Sequence, residues 1–465
     1  MHSESPALTP GQESSTERRR LRKVGAASLV GTTIEYYDFF VYGTAAALVF
    51  PALFFPSASP AVGTIASFAT FGVGFFARPV GSILFGHFGD KIGRKRTLVW
   101  TLLIMGFATV TIGLLPGYDS GTFGLFGNGI GMAAPIILVF LRFLQGFAMG
   151  GEWAGATLLT AEYAPKGQRG RMAVYPQIGP PLGFFLASGT FFLASVTVGA
   201  TSDTFLNFGW RLPFIASLLL VIVGLWIRLT VEETPVFKAH LLNKAQETAP
   251  VKLPFADAIR LQWKQILLAG MTMSALFAMF YIGSTFLTNY GTGRLEFSRT
   301  MILGFGMIAA LVLACATAAA AIISDKVGRK KVIAAAYIGA FIWSLLLFPL
   351  LDTGSPIAFL IGVTVTLSLY GVANGPAGAL LPEMFHSQFR YTGAGLSYNL
   401  GGIIGGAVPP ILAAQIVANH SSIWVGILLA GLSAVSLACV LALPETKNND
   451  LEHAPDEARA KSELR

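Results

Sequence analysis

Stretches of about 20 predominantly apolar residues recur along the whole chain, and each is long enough for a helix to cross a bilayer. Twelve can be drawn, at roughly 25–50, 62–86, 97–115, 135–160, 172–198, 211–230, 264–290, 299–323, 332–351, 356–382, 392–419 and 422–443. Backbone amides in hydrocarbon must be satisfied inside the spanning element, so such a chain becomes helices or a closed barrel. A barrel would show alternating segments of about 10 residues, and none is present. Charged residues make up 12% of the chain, about half the share usual in soluble domains. The 52 glycines fit as well, since glycine is commoner in membrane helices than in soluble ones. The expected fold class is an all-α membrane protein of twelve transmembrane helices.

Lysine and arginine orient it. An even number of spans puts both termini on one side, and with the N-terminus inside, 27 of 32 basic residues fall in cytoplasmic segments. Only Arg211, Arg294 and Arg299 fall in outer segments, and Arg78 and Arg142 lie within spans. This is the positive-inside pattern, and it accounts for the net charge of +8 without nucleic acid. No secretory signal is read. Residues 1–23 are polar and end in Arg18-Arg19-Arg20-Leu21-Arg22-Lys23, and the next segment holds Glu35 and Asp38, unlike a short uncharged signal core. Cys315 and Cys439 sit inside apolar segments and are too few for a metal site or disulfide framework; both are expected to pack as small hydrophobes.

The second half repeats the first. Gly86-His87-Phe88-Gly89-Asp90-Lys91-Ile92-Gly93-Arg94-Lys95-Arg96 returns in shortened form as Ser324-Asp325-Lys326-Val327-Gly328-Arg329-Lys330-Lys331, about half a chain later. Glu162 precedes Arg169 by the same seven residues that separate Glu383 from Arg390. Gly179-xxx-Gly183 and Gly401-xxx-Gly405 follow, and glycines four apart let helices approach closely. The organisation expected is a basic tail (1–23), a six-helix bundle (24–230), a cytoplasmic linker (231–263) with a short amphipathic helix, a second six-helix bundle (264–443) and a tail (444–465).

The repeated hairpin resembles the loop signature of the major facilitator superfamily, which joins the second and third helices of each half. The resemblance implies a charge-mediated latch on the cytoplasmic side, carried by Asp90 and Arg94 and, in the second copy, by Asp325 and Arg329.

Ionisable groups inside a bilayer are costly and suggest function. Five lie in span cores: Glu35, Asp38, Arg78, Arg142 and Glu152, all in the first half. Gly31, Glu35, Asp38 and Tyr42 share a face of the first helix, and Arg142, Gln145, Met149 and Glu152 a face of the fourth. At 1.5 Å per residue, Asp38, Glu35, Arg78 and Glu152 fall about 12 to 20 Å from the inner ends of their spans, with Arg142 near 27 Å. Three carboxylates against one arginine at that level cannot all be ionised comfortably. Asp38 is therefore assigned as proton carrier, with Glu35 second and Glu152 paired to Arg78 or a tyrosine. A permanently paired ion network is the alternative. The second half offers Tyr281, Asn289, Asn374, Tyr398 and Asn399, which could read substrate oxygens or bond helix to helix. No phosphate-binding loop, metal cluster or catalytic constellation is present, so neither an enzyme nor a bound cofactor is expected.

A finer resemblance, over about residues 25–446, is to the metabolite:H⁺ symporter branch of that superfamily. It rests on Gly31-Thr32-Thr33-Ile34-Glu35-Tyr36-Tyr37-Asp38-Phe39-Phe40-Val41-Tyr42-Gly43, Ala77-Arg78-Pro79-Val80-Gly81-Ser82, Arg142-Phe143-Leu144-Gln145-Gly146, Gly150-Gly151-Glu152-Trp153 and Glu233-Thr234-Pro235. It implies two pseudo-symmetric bundles, alternating access, and proton-driven uptake of a small carboxylate or zwitterion across the cell membrane by a monomer. The proton is the coupling ion. Arg78 and Arg142 would meet the carboxylate, with Tyr42, Gln145, Tyr281, Asn289, Asn374, Tyr398 and Asn399 around it. A proton-driven drug or cation antiporter of the same fold is the rival reading. A membrane sensor is a third, although the tails are short for one.

Overall fold

The computed structural model describes residues 10–449, apart from 93, 123–125, 151, 163, 166, 200–202, 231–253 and 386–389. The first half comprises α1 (Pro10–Leu48), α2 (Phe50–Phe54), α3 (Pro60–Ile92), α4 (Arg94–Leu114), α5 (Ala133–Met149), α6 (Glu152–Glu162), α7 (Arg169–Val198) and α8 (Arg211–Thr230). The second comprises α9 (Pro254–Tyr281), α10 (Leu287–Gly293), α11 (Arg299–Val327), α12 (Arg329–Leu351), α13 (Pro356–Met384), α14 (Arg390–Gly401), α15 (Val408–Asn419) and α16 (Ile423–Ala442). π-Helical turns at Ile282–Phe286 and Gly402–Ala407 join α9 to α10 and α14 to α15. Each pair is therefore one span, and α5 with α6 makes another, so the helices form twelve spans in two bundles. Ten are long and apolar enough to qualify on composition. The others are α1, which carries Glu35 and Asp38, and the divided fourth span.

Local chemistry sets several ends. Ser298 and Ser355 cap α11 and α13, their hydroxyls accepting from the Met301 and Ala358 amides, as first-turn amides require. Arg211 is fully buried and donates to the Gly113 and Leu115 carbonyls at 2.9 and 2.7 Å. It thus satisfies the open end of α4 and is no solvent-facing outer-loop charge. An antiparallel hairpin of β1 (Ser120–Thr122) and β2 (Phe126–Asn128) lies between α4 and α5.

The outward faces are apolar. Phe107, Leu219, Trp226 and Ile357 are each more than half exposed, which in water would be an aggregation surface and in lipid is solvation. Cys315 is exposed too, and Cys439 partly so, contrary to the expected packing of both. A small apolar side chain gains little from choosing the core when the solvent is also apolar.

Both glycine pairs bring helices together. A Cβ on Gly183 would lie 2.8 Å from Tyr36 of α1, and one on Gly405 would lie 1.9 Å from the Ser274 carbonyl of α9. The same device thus joins the fifth span to the first and the eleventh to the seventh. The contact of α3 with α5 is tighter: a Cβ on Gly81 would stand 1.8 Å from the Phe147 carbonyl oxygen. That obstacle is backbone and cannot rotate away. Gly81→Ala should cost at least the 1–3 kcal/mol usual for overpacking and leave little monodisperse protein on size exclusion. Gly293→Ala, with nothing within 4 Å, should elute like the wild type.

Candidate substrate and proton sites

A small cavity lies between the bundles. Its walls are Glu35 and Tyr36 of α1, Arg78 of α3, Met149 and Gly150 at the end of α5, Trp153 of α6, and Gly395, Tyr398 and Asn399 of α14. Its volume is about 10 Å³, room for about one water molecule. Arg78 is 2% exposed. Its Nη2 donates to Met149 Sδ at 2.8 Å, and its guanidinium lies 4.6 Å from the ring centres of both Phe39 and Phe75. Glu35, Tyr36, Tyr281 and Tyr398 are its electrostatic neighbours. Its Nε and the Asn399 Nδ2 make no hydrogen bond among the described residues. Buried donors without acceptors are uncommon in native folds, and two on one cavity define a place for an acceptor.

Asp38 is elsewhere. Although it shares the broad face of Glu35, its carboxyl points into the first bundle, beside the hydroxyls of Thr109 on α4 and Ser217 on α8. Each hydroxyl donates to a backbone carbonyl, Thr109 to Met105 at 2.9 Å and Ser217 to Phe214 at 2.8 Å. Neither Asp38 oxygen forms a hydrogen bond among the described residues, and the residue is 1% exposed. An ionised carboxylate buried this way would cost several kcal/mol. The geometry suits a neutral, proton-bearing acid, with two hydroxyls one rotation away from solvating its anion.

Similar depth therefore does not make a single site. Arg142 is enclosed by Phe39, Tyr42 and Phe71, 4.1, 4.3 and 4.7 Å from their ring centres. It donates to Gln145 Oε1 at 3.1 Å, and Gln145 donates onward to Thr109 at 2.7 Å. Tyr42 donates to Thr70. Glu152 is buried at the start of α6, outside the cavity lining. Asn374 is occupied by Gln177, whose amide donates to its carbonyl and side-chain oxygens at 2.6 and 3.0 Å. Asn289 donates to the Ala47 carbonyl at 2.8 Å. Of the expected substrate-facing residues, the structure brings Arg78, Tyr398 and Asn399 to the cavity, with Tyr281 beside Arg78.

The bundles meet on both sides of the cavity. On one side Phe39 and Phe40 pack on Tyr281 and Phe280, and farther out Asn289 holds Ala47. On the other side lie the Gln177–Asn374 pair and then a buried ionic layer. Asp325 accepts from the Gly170 and Arg171 amides at 2.8 Å each, capping α7 from across the interface. Arg329 donates to Asp325 at 2.7 Å and pairs with Glu383 at 3.3 Å. Glu383 also meets Arg169 at 3.5 Å and accepts from Thr446 at 2.7 Å. The side chains of Asp90 and Arg94, the first copy of the hairpin, lie outside the described residues, as does 231–253 with its expected amphipathic helix. Glu383→Gln would leave Arg169 without this counter-charge and Arg329 with Asp325 alone. A loss of about 3 kcal/mol is expected, read as a lower Tm in detergent.

A family model described as Major Facilitator Superfamily matches residues 29–406. The chain belongs to the major facilitator superfamily. Among curated relatives, the inner membrane metabolite transport protein YhjE of Escherichia coli (strain K12) is 41% identical, over 92% of this chain and 95% of that one. The shikimate transporter of the same organism is 35% identical over 94% and 97%. Among solved structures, the superfamily's proton:xylose symporter XylE, bound to 6-bromo-6-deoxy-D-glucose, aligns with a TM-score of 0.70 at 16% identity, covering 93% of this chain and 98% of that chain. At that identity the likeness speaks for the fold of this superfamily member alone.

Several residues here had no site role assigned from sequence. Trp153 and Tyr36 wall the cavity, Thr109 and Ser217 face Asp38, and Glu383 organises the ionic layer. Glu383 carried a signal, being an acid at the end of an apolar span and half of a repeated Glu–Arg spacing. The hydroxyls on α4 and α8 carried none, because serine and threonine in spans commonly bond the preceding turn.

Proposed function

We propose that this chain is a secondary transporter that takes up a small carboxylate-bearing metabolite together with protons by alternating access. The observation that carries this reading is a division of labour between two buried sites. Unpartnered donors on Arg78 and Asn399 face the cavity between the bundles, while an unpartnered acid, Asp38, sits behind it in the first bundle. The first arrangement offers a guest's acceptor two donors, with Glu35 on the same wall, and the second offers a place for a proton. Substrate and proton can then be loaded together without competing for one group.

The positive-inside pattern supports placing both termini and the ionic layer in the cytoplasm. Asp325, Arg329 and Glu383 then act as the inner latch, and the aromatic packing around Tyr281 as the outer closure. The relatives named for metabolite and shikimate transport agree with this reading.

The test is uptake into liposomes carrying an inside-alkaline pH gradient, with labelled shikimate, 2-oxoglutarate and citrate set against glycine betaine. At least one carboxylate should accumulate above its outside concentration and leak back when the gradient is collapsed. Movement of betaine alone, or of none of the carboxylates, would show the assignment to be wrong.

A further inference from the structure

The geometry points to a substrate whose carboxylate is carried on a flat ring, held between the faces of Trp153 and Tyr398. This rests on the carboxylate reading above and narrows it. Trp153 belongs to the first bundle and Tyr398 to the second. Their rings are nearly parallel, at 6°, with centroids only 3.6 Å apart. Aromatic pairs usually prefer offset or edge-on arrangements at 4.5–7 Å, as Phe39 and Phe75 do at 5.2 Å and 81°. A face-to-face pair across the interface is thus an unusual packing choice, closed at van der Waals contact here and able to admit a ring only as the bundles part.

Both plates are held at their polar tips. Trp153 Nε1 donates to Gln177 at 3.2 Å, and the Tyr398 hydroxyl shares a 2.5 Å hydrogen bond with Tyr36. Gln177 lies in the same bundle as Trp153 and can hold that ring's plane as the plates part, whereas the Tyr36–Tyr398 bond crosses the interface and breaks when they do. The slot formed as they part faces the two unpartnered donors. A planar guest would need the plates to part by about 3.5 Å, one van der Waals contact, and would place its carboxylate toward Arg78 and Asn399. Aromatic faces also suit a quaternary ammonium, but here such a cation would stand beside the Arg78 guanidinium, a like charge on the same cavity. Since the plates come from different bundles, the ring would bridge the halves that must rock together.

The experiment is thermal unfolding of the purified full-length protein, followed by light scattering, with benzoate, succinate and glycine betaine. Ligands that bind the folded state raise the midpoint. Benzoate should raise it, and succinate should do so only at about tenfold higher concentration. Tyr398→Leu and Trp153→Leu should each weaken benzoate about tenfold, whereas Tyr398→Phe, which keeps the ring face, should retain the preference for benzoate over succinate. If a leucine variant does not fold, the benzoate–succinate comparison in the wild type still decides. Succinate binding as well as benzoate, or leucine variants binding benzoate within twofold of wild type, would overturn the clamp while leaving the carboxylate reading in place. So would the lack of any benzoate shift up to about 10 mM, ten times the upper end of ordinary KM values. Stabilisation by betaine and by neither acid would remove the carboxylate reading itself.

Discussion

Asp38→Asn is expected to reduce gradient-driven accumulation to simple equilibration while leaving substrate exchange intact. One pH unit is worth 1.36 kcal/mol per proton, so a wild-type carrier coupled to one proton can hold about a tenfold gradient of a substrate whose co-transport with the proton is electroneutral. Asparagine fills the same space and, like the neutral acid, carries no charge into the first bundle beside Thr109 and Ser217. It cannot release a proton, so the ratio should fall to about one. Counterflow of labelled against unlabelled substrate needs no net proton movement and should persist. Glu35→Gln separates the two acids. Glu35 lines the cavity with Arg78, so its loss should change KM and leave the accumulation ratio near that of wild type. If Glu35→Gln uncouples and Asp38→Asn does not, the proton has been placed on the wrong helical turn.

Arg78→Lys should have the second-largest effect, through binding. Lysine keeps the charge but loses the planar fork that meets a carboxylate in two places. It also loses the stacking against Phe39 and Phe75 that holds the guanidinium in place. Truncating one partner of a buried, hydrogen-bonded charge pair costs about 2–5 kcal/mol, a rise in KM of roughly 30-fold or more. Initial-rate uptake at fixed pH gradient measures it, with size exclusion confirming that the variant folds. A KM within threefold of wild type would mean that Arg78 holds the bundles together and does not touch substrate. Arg142→Lys is the useful contrast, since Arg142 is outside the cavity lining, enclosed by Phe39, Tyr42 and Phe71 and bonded to Gln145, although its Nη2 also makes no hydrogen bond among the described residues. Its effect should fall mainly on Tm.

The architecture was legible because hydrocarbon allows few solutions. Apolar length and the half-chain repeat suffice for twelve helices in two bundles. The site was legible only in part. Sequence could place Glu35 and Asp38 on one broad face, but three residues along a helix is a rotation of about 60° from alignment. That rotation sends Glu35 to the cavity and Asp38 to Thr109 and Ser217. Asn374 and Gln145 look like substrate readers in sequence, since polar amides in a membrane need partners. Their partners are protein groups, Gln177 for one and Arg142 with Thr109 for the other. Which partner an amide finds depends on contacts between distant segments, and no local pattern encodes them. The Trp153–Tyr398 stack is of the same kind, joining residues on opposite bundles.

In the proposed cycle, substrate and proton move in the same direction. Liposomes loaded with a pH-sensitive dye, with no initial pH difference, test it most directly when a transported carboxylate is added outside. The lumen should acidify in step with uptake, and Asp38→Asn should abolish the acidification while counterflow continues. An alkaline shift on substrate entry would mean antiport, and uptake with no pH change would mean that no proton is coupled; either result would rule out proton symport.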